Sequence, residues 1–287
     1  MGAREDSMDD PKTRTIPPAP PFRLLISGAG SGFGAAIARV WAGPGVWIAV
    51  TDIDPERAAA TLSEVRTRGG DGIALQLDVT RDADWAAAKA AVLAAVGGLD
   101  VLVNNAGVAA GGDLADSPLA DWQWIVDIDL LGVVRGCRAL LPLLRAAWRG
   151  HVVNMASFAG LAGAPGIAAY GAAKAAVVAL SEQLRVEESA HGVEVSVVCP
   201  AFVRTGLLET FRSPNAGDRE RVARWMARAP VSAEDVAAAV RRAVERRRFL
   251  VLTHADTRWL WRLKRWFPEW YFRLLRRTMR RRRPVQG

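Results

Sequence analysis

An apolar run that breaks abruptly into glycines constrains this chain more than any other feature. Residues 23–34 read RLLISGAGSGFG, and AAIARVWA continues with Ile37, Val40 and Trp41 at helical spacing. An apolar run, a tight turn and a 3.6-residue period together predict a strand, a loop and a helix start. Gly28, Gly32 and Gly34 let the backbone come close to a ligand. The free N–H groups opening the helix, around Ser31, Gly32 and Phe33, join the helix dipole in receiving a negative group such as a pyrophosphate. The stricter G-x-G-x-x-G spacing is not met, because Phe33 takes the place of a glycine; the pattern present is Gly28-x-x-x-Gly32-x-Gly34. A Gly-rich turn taken alone is weak evidence, since many loops are Gly-rich for steric reasons.

The next apolar run, VWIAVTDID, reaches Asp52 eighteen residues beyond Gly34, the length of one crossover helix and a second strand. A carboxylate at that strand end accepts hydrogen bonds from adenosine ribose hydroxyls and repels a 2′-phosphate. Asp52 therefore favours NAD over NADP, and no Arg or Lys in the glycine loop offsets it. Asp54, followed by Pro55, reads as the N-cap of the following helix.

Farther along, Tyr170 and Lys174 stand four residues apart in the small, apolar segment AAYGAAKAAVVAL, with Ser157 thirteen residues upstream of the tyrosine. Positions i and i+4 share a helix face, so a phenol and an ammonium there can serve one bound molecule. A nearby cation favours phenolate and predicts a lowered tyrosine pKa, suited to general acid/base work. A lone Tyr-xxx-Lys is as easily a packed ring and a solvated lysine; what precedes it decides.

The runs RLLIS, WIAVTD, IALQLDV, LDVLVNN, HVVNMA, VEVSVVCP and FLVLT are short, apolar and often β-branched, as buried parallel strands are. Alternating with helical patterns, they predict a doubly wound α/β sheet of the Rossmann type with about seven strands. With 51% hydrophobic residues in 287, one sizeable core is expected. Cys137 and Cys199 are too few for a disulfide framework or a metal site, which points to a reducing, cytoplasmic setting. His151, His191 and His254 read as structural or surface residues.

Taken in order, SGAGSGFG at 27–34, LDVT at 77–80, NNAG at 104–107, NMAS ending at Ser157, Tyr170-xxx-Lys174 and CPAFVRT at 199–205 resemble the short-chain dehydrogenases/reductases. The resemblance covers residues 23 to about 250. It implies that Tyr170 is the catalytic acid/base, that Lys174 lowers its pKa and holds the nicotinamide ribose, and that Ser157 steadies the substrate oxygen. It further implies that Asp78 and Val79 flank the adenine and that Asn104, Asn105, Ala106 and Gly107 border the cofactor. Pro200, Val203 and Thr205 are implied to receive the nicotinamide carboxamide. Hydride would pass between nicotinamide and a carbonyl carbon while Tyr170 handles the proton, and the family's usual dimer or tetramer would apply.

In two places the chain departs from the family. Asp129, in WIVDIDLLGVVRG, stands where the family usually has an Asn anchoring a proton-relay water. An Asp still accepts from that water, but it lacks the amide donor and adds a charge that raises the Tyr170 pKa and attracts Lys174. The plainer reading makes Asp129 a local helix variant with little kinetic effect. Ala201, where Gly is common, is a small-for-small change.

The ends of the chain differ in kind from the 22–255 dehydrogenase domain. Residues 1–21 hold five prolines between Pro11 and Pro21, show no apolar periodicity and read as a disordered leader without a signal peptide. From Asp256 to Arg283, within a tail spanning 256–287, eleven Arg or Lys face two acids, more positive charge than the net +8 of the whole chain. Trp259, Leu263, Trp266, Phe267, Trp270, Leu274 and Leu275 form an apolar stripe, which Pro268 divides into two helices, and Arg276, Arg277, Arg280, Arg281 and Arg282 cluster beyond it. Such a tail suits an anionic membrane surface at the inner face of a membrane; packing on the protein or a partner subunit competes, and nucleic acid is disfavoured.

The reading that results is an NAD-linked oxidoreductase, NADP being less favoured, that interconverts a secondary alcohol and a ketone on a lipophilic, steroid-like or long-chain substrate. The alternative is a catalytically relaxed dinucleotide-binding regulator or membrane-associated scaffold; intact Ser157, Tyr170 and Lys174 weigh against it.

Overall fold

The computed structural model describes residues 21–280. Seven parallel strands form one sheet in the order β3-β2-β1-β4-β5-β6-β7. They are β1 (Phe22–Ser27), β2 (Val46–Asp52), β3 (Asp71–Gln76), β4 (Val101–Asn104), β5 (His151–Met155), β6 (Glu194–Val198) and β7 (Leu250–Val251). The crossovers are α1 (Gly32–Trp41), α2 (Pro55–Thr67), α3 (Asp82–Val96), α4 (Leu119–Ile125), a π-helical turn Val126–Leu131 running into α5 (Gly132–Arg145), α6 (Phe158–Ala162) and α7 (Ala168–Ser189). After β6 come α8 (Asp218–Ala227) and α9 (Ala233–Glu245), then α10 (Ala255–Trp266) and α11 (Pro268–Arg280). The expected sheet is present, with β3 beginning two residues earlier than its apolar run and β7 reduced to two residues.

Because the strands are apolar on both faces, the sheet carries a core on each side. One core gathers Leu24, Ile26, Ile48 and Val50 of the sheet with Ile37 of α1, Leu62 of α2 and Val240 of α9. The other gathers Leu102, Val152 and Val195 with Trp85 of α3, Leu140 of α5 and Val177 of α7. Trp85 is almost wholly enclosed, and its indole N–H donates to the Val79 carbonyl at 3.1 Å. That bond fixes the loop leaving β3, and burying a side chain of that kind contributes about 2–3 kcal/mol.

Strand order reverses at β1, which has β2 on one side and β4 on the other. The two connections leave in opposite directions there, opening a crevice at the carboxyl ends of the strands. Among the described residues no helix is long and apolar enough to cross a membrane. The run around Tyr170 lies in α7, whose inner face is buried. The tail is two helices divided at Pro268, which takes the first position of α11, where its missing N–H costs nothing. Residues 1–20, all but the last of the expected disordered leader, and Arg281 and Arg282 lie outside the described residues.

Candidate active site

The crevice is a cavity of about 350 Å³. Its walls come from the strand ends: Gly28 after β1, Asp52 ending β2, Asp78 and Val79 after β3, Asn105, Ala106 and Gly107 after β4. Ser31, Gly32 and Phe33 of the loop and first turn of α1, Thr205, Asp129, and Tyr170 with Lys174 of α7 complete it. Gly34, Ser157, Pro200 and Val203 stand outside this lining.

The glycine loop is shaped by close approach. Gly28 has φ +62°, and a Cβ there would lie 2.7 Å from the Ala106 Cα. At Gly34 a Cβ would meet the Gly28 carbonyl at 2.3 Å and Asn105 Nδ2 at 2.6 Å, so Gly34 serves packing behind the loop. Asn105 braces that packing, its amide donating to the Ser27 and Gly28 carbonyls at 2.9 Å each. Gly30, absent from the sequence reading, is equally constrained: a Cβ would come within 2.8 Å of Asp52 Oδ2 and 2.6 Å of Arg57 Cβ.

Asp52 is held rigidly, accepting from the Gly30 N–H at 2.8 Å and the Asp54 N–H at 3.0 Å. Asp54 caps α2 through the Glu56 and Arg57 N–H groups. The glycine loop itself lacks a base, but Arg57, brought alongside it by the first turn of α2, lines the cavity and pairs with Glu209 at 2.7 Å. An arginine three places into the helix after Asp52 was the available sequence signal for this. Trp124, Ile128 and Leu207, also on the wall, carry none.

Asn104 corrects an expectation. It faces the interior, donating to Asn154 Oδ1 at 2.9 Å and the Cys137 sulfur at 3.3 Å, and Asn154 passes the chain on to Ser181 at 3.0 Å. It is a core residue, and its neighbour Asn105 takes the cavity side. Val203 is buried against the α1 and α9 core. The Pro200 carbonyl receives the Phe158 N–H at 2.8 Å and lies 3.5 Å from Ser157 Oγ. Ser157 caps α6, accepting from the Ala159 N–H at 3.1 Å, while Thr205 caps a 3₁₀ turn at Gly206–Leu208.

At the chemical end, Lys174 Nζ sits 5.9 Å from the Tyr170 ring centre, donates to the Met155 carbonyl at 3.0 Å and lies 3.1 Å from Asp129 Oδ2. Asp129 is fully buried on the π turn, and its Oδ1 accepts from the Val108 N–H at 2.8 Å. Irregular helical turns of this kind are frequent at functional sites. Gly107 permits the approach, since a Cβ there would crowd Lys174 Nζ at 3.3 Å and Asp129 Oδ1 at 3.4 Å. An N–H on the carboxylate and a carbonyl on the ammonium favour the charged form of each, so the two stand as an ion pair. Burial makes Asp129 a weaker acid than usual; burial also pulls Lys174 down, but Asp129 and then Tyr170 outweigh it and hold the ammonium above its ordinary value.

Proximity to Lys174 predicts a lowered Tyr170 pKa, and the structure reverses it. Enclosure of the phenol raises it, Lys174 lowers it, Asp129 raises it again and a hydrogen bond with Ser157 lowers it, with a net shift upward. Asp129 pairs with Lys174 and acts against the phenolate. Cys137 and Cys199 are buried thiols pushed up to about 12, so neither is a nucleophile near neutral pH.

These residues suit a dinucleotide. The first turn of α1 has no side-chain cap, so its N–H groups are available to a phosphate at the cavity. The loop leaves room that any Cβ would fill, and Asp52 presents acceptors at the β2 end.

The chain matches the short chain dehydrogenase family over residues 23–216. It is 37% identical over 225 residues to 2-(S)-hydroxypropyl-CoM dehydrogenase 3 of Xanthobacter autotrophicus, covering 76% of this chain and 87% of that protein. It is 36% identical over 185 residues to the 3-alpha-(or 20-beta)-hydroxysteroid dehydrogenase of Mycobacterium tuberculosis, covering 64% and 70%. Its fold superposes, with a TM-score of 0.82 and 34% identity, on a short chain dehydrogenase/reductase from Burkholderia phymatum solved in complex with NAD, covering 87% of this chain and 95% of that one. With the sheet order, the glycine loop and the Tyr170–Lys174 face in agreement, the chain belongs to the short-chain dehydrogenases/reductases, a family of oxidoreductases.

Proposed function

We propose that this protein interconverts a secondary alcohol and a ketone with NAD as its preferred cofactor, Tyr170 acting as the acid/base. The observation that carries the reading is that Tyr170 and Lys174, on one face of α7, open onto the same cavity as the glycine loop and Asp52. When bound, a nicotinamide dinucleotide supplies or accepts the hydride. The chain's own residues do the rest. Gly28, Ser31, Gly32 and Phe33 receive the pyrophosphate. Asp52 accepts from the adenosine ribose, and Asp78 and Val79 border the adenine. Asn105, Ala106 and Gly107 line the path inward, and Pro200, Val203 and Thr205 form the far segment. Tyr170 gives its proton to the carbonyl oxygen in reduction and takes it back in oxidation, Ser157 steadies that oxygen, and Lys174 stabilises the phenolate.

Trp124, Ile128 and Leu207 give the cavity apolar walls beyond the glycine loop, which supports a lipophilic substrate, steroid-like or long-chain. Activity confined to small polar sugars or acids would overturn that choice. The dehydrogenase unit is taken as residues 22–255, working in the cytoplasm as a homodimer or homotetramer, which sizing chromatography tests. Tyr170→Phe tests the central claim: turnover of apolar ketones is expected to fall at least about a thousandfold while NAD binding is retained. Retained turnover sinks the assignment of Tyr170. A cellular effect that persists in that variant favours the scaffold alternative.

A further inference from the structure

The two tail helices have inner and outer faces of different character. On the inner side, Tyr271 donates to the Ala162 carbonyl at 2.9 Å and Lys264 to the Leu161 carbonyl, both at the end of α6, and Phe272 lies against Gly163. The tail is thereby fixed to the body of the protein. On the outer side Trp259, Trp266, Phe267 and Trp270 remain 56%, 74%, 63% and 54% exposed. Four large rings left in water on two short helices is far more apolar surface than scattered exposure accounts for.

The charge around them is unbalanced in the same way. Arg258 and Arg262 of α10, with Arg242, Arg246 and Arg248 from the end of α9 and the following turn, line a recess of about 440 Å³. Among the described residues none of these five meets a carboxylate at ion-pair distance, whereas arginines elsewhere do, as in Arg23–Asp100, Arg135–Asp127 and Arg145–Glu188. Rings and bases also share one ridge. Arg258, Arg262 and Trp266 follow each other at i, i+4 and i+8, and Trp259 adjoins them three residues before Arg262, so cations and indoles alternate along a single exposed face of α10.

We propose that this face docks on an anionic phospholipid bilayer, with lipid phosphates entering the arginine-lined recess and the Trp259, Trp266, Phe267 and Trp270 rings entering the boundary between headgroups and acyl chains. The complementary charge selects the occupant. A second copy of the chain would bring the same uncompensated arginines against these, and like charges repel. A nucleic acid would satisfy the arginines but has no use for a helical stripe whose rings continue into Phe267 and the half-exposed Leu274. A bilayer with anionic headgroups accommodates both halves of the face.

The test is cosedimentation of the full chain with vesicles of phosphatidylcholine mixed with phosphatidylglycerol, beside vesicles of phosphatidylcholine alone. The expected result is partitioning at least about tenfold stronger to the anionic vesicles and weakened by salt. A Trp259→Ser/Trp266→Ser variant and an Arg258→Glu/Arg262→Glu variant should each lose at least about tenfold in partitioning. Both should keep the thermal melt and the dehydrogenase rate on a soluble substrate, because these side chains are exposed and away from the cavity. Equal pelleting of either variant with the parent overturns the proposal, as does equal binding to neutral vesicles. Dependence on the arginines but not the tryptophans, with inorganic pyrophosphate competing, assigns the recess to a soluble anion instead. A tryptophan variant that changes the oligomeric state assigns the face to a second copy and overturns it equally.

Discussion

Asp129→Asn tests the most unusual feature of the site. In the protein as it stands, an ammonium 5.9 Å from the Tyr170 ring centre has a carboxylate 3.1 Å away on its other side. At an effective dielectric of about 20, a bare ammonium at the first distance would favour phenolate by about 3 kcal/mol, and the ion pair at the second is worth about 5 kcal/mol. Asp129, which disfavours the phenolate, offsets part of what Lys174 offers the phenol. Recovering even half of the first figure, about 1.4 kcal/mol, is a tenfold gain in phenolate at a given pH. The alkaline limb of kcat/KM for alcohol oxidation should accordingly move to lower pH in Asp129→Asn. Oxidation near neutral pH should rise about tenfold, and ketone reduction, which needs the protonated phenol, should fade earlier as pH rises. Stability moves the other way. Val108 N–H and Lys174 converge on two carboxylate oxygens, and an amide offers one acceptor, so about 1–3 kcal/mol should be lost in urea unfolding. Full pH–rate profiles in both directions decide. A profile that keeps its shape, or moves toward alkaline pH, refutes the electrostatic role; a uniform fall at every pH reduces Asp129 to packing.

Three further outcomes are expected. His151, buried and held at about 4 by desolvation first and Arg247 second, has its Nε2 2.9 Å from Ser196 Oγ, whose own proton goes to the Arg248 carbonyl. As pH falls below the ordinary 6.5 the unfolded chain takes up the proton first, so stability present in full above that value declines toward pH 4. The loss from pH 7 to 5 should be about 2 kcal/mol larger in the parent than in His151→Gln, and equal slopes in urea titrations would refute it. Gly30→Ala should weaken NAD binding at least about tenfold by calorimetry and cost about 1–3 kcal/mol in urea unfolding, because its Cβ would press on Asp52 and on the Arg57 Cβ at the cavity wall; unchanged affinity would refute the role of this close approach. Glu209→Ala frees Arg57 from its 2.7 Å partner beside Asp52, and the ratio of kcat/KM for NADP over NAD should rise about threefold to tenfold; an unchanged ratio shows that Arg57 does not reach the 2′-position.

What the sequence disclosed and what it hid divide along physical lines. The sheet was legible because parallel strands buried on both faces are continuous apolar runs, and β4, β5 and β6 lie within the runs that announced them. Gly28 and Gly32 were legible because positive φ and close approach leave few alternatives to glycine. Asn104 misled because adjacent residues leaving a strand point to opposite faces, and in NNAG either asparagine could have faced the cavity. Trp124 and Glu209 were silent because they reach the site from separate elements, and no spacing links them.

Asp129 is the instructive case. Its residue type was readable, and so was the direction of its effect on Tyr170. The sign of the net shift was not, because it depends on how completely the phenol is enclosed, a property of the fold and not of the motif. Tyr170-xxx-Lys174 by itself predicts an activated phenolate. With a buried carboxylate across the ammonium and the phenol enclosed, the same pair holds the tyrosine above its ordinary value. If that charge arrangement governs the reaction, the rates of the protein in both directions should peak at higher pH than those of its own Asp129→Asn variant. At any one pH the ratio of forward to reverse kcat/KM is tied to the equilibrium constant, so the reading is taken from the pH profiles of kcat/KM in each direction, measured for both proteins with the same cofactor and substrate pair. Because the overall equilibrium constant is fixed by the reactants, the change must appear with free proton exchange to solvent held constant, as a shift in the pH at which each direction is fastest; coincident optima for the two proteins would show that the carboxylate does not control the proton.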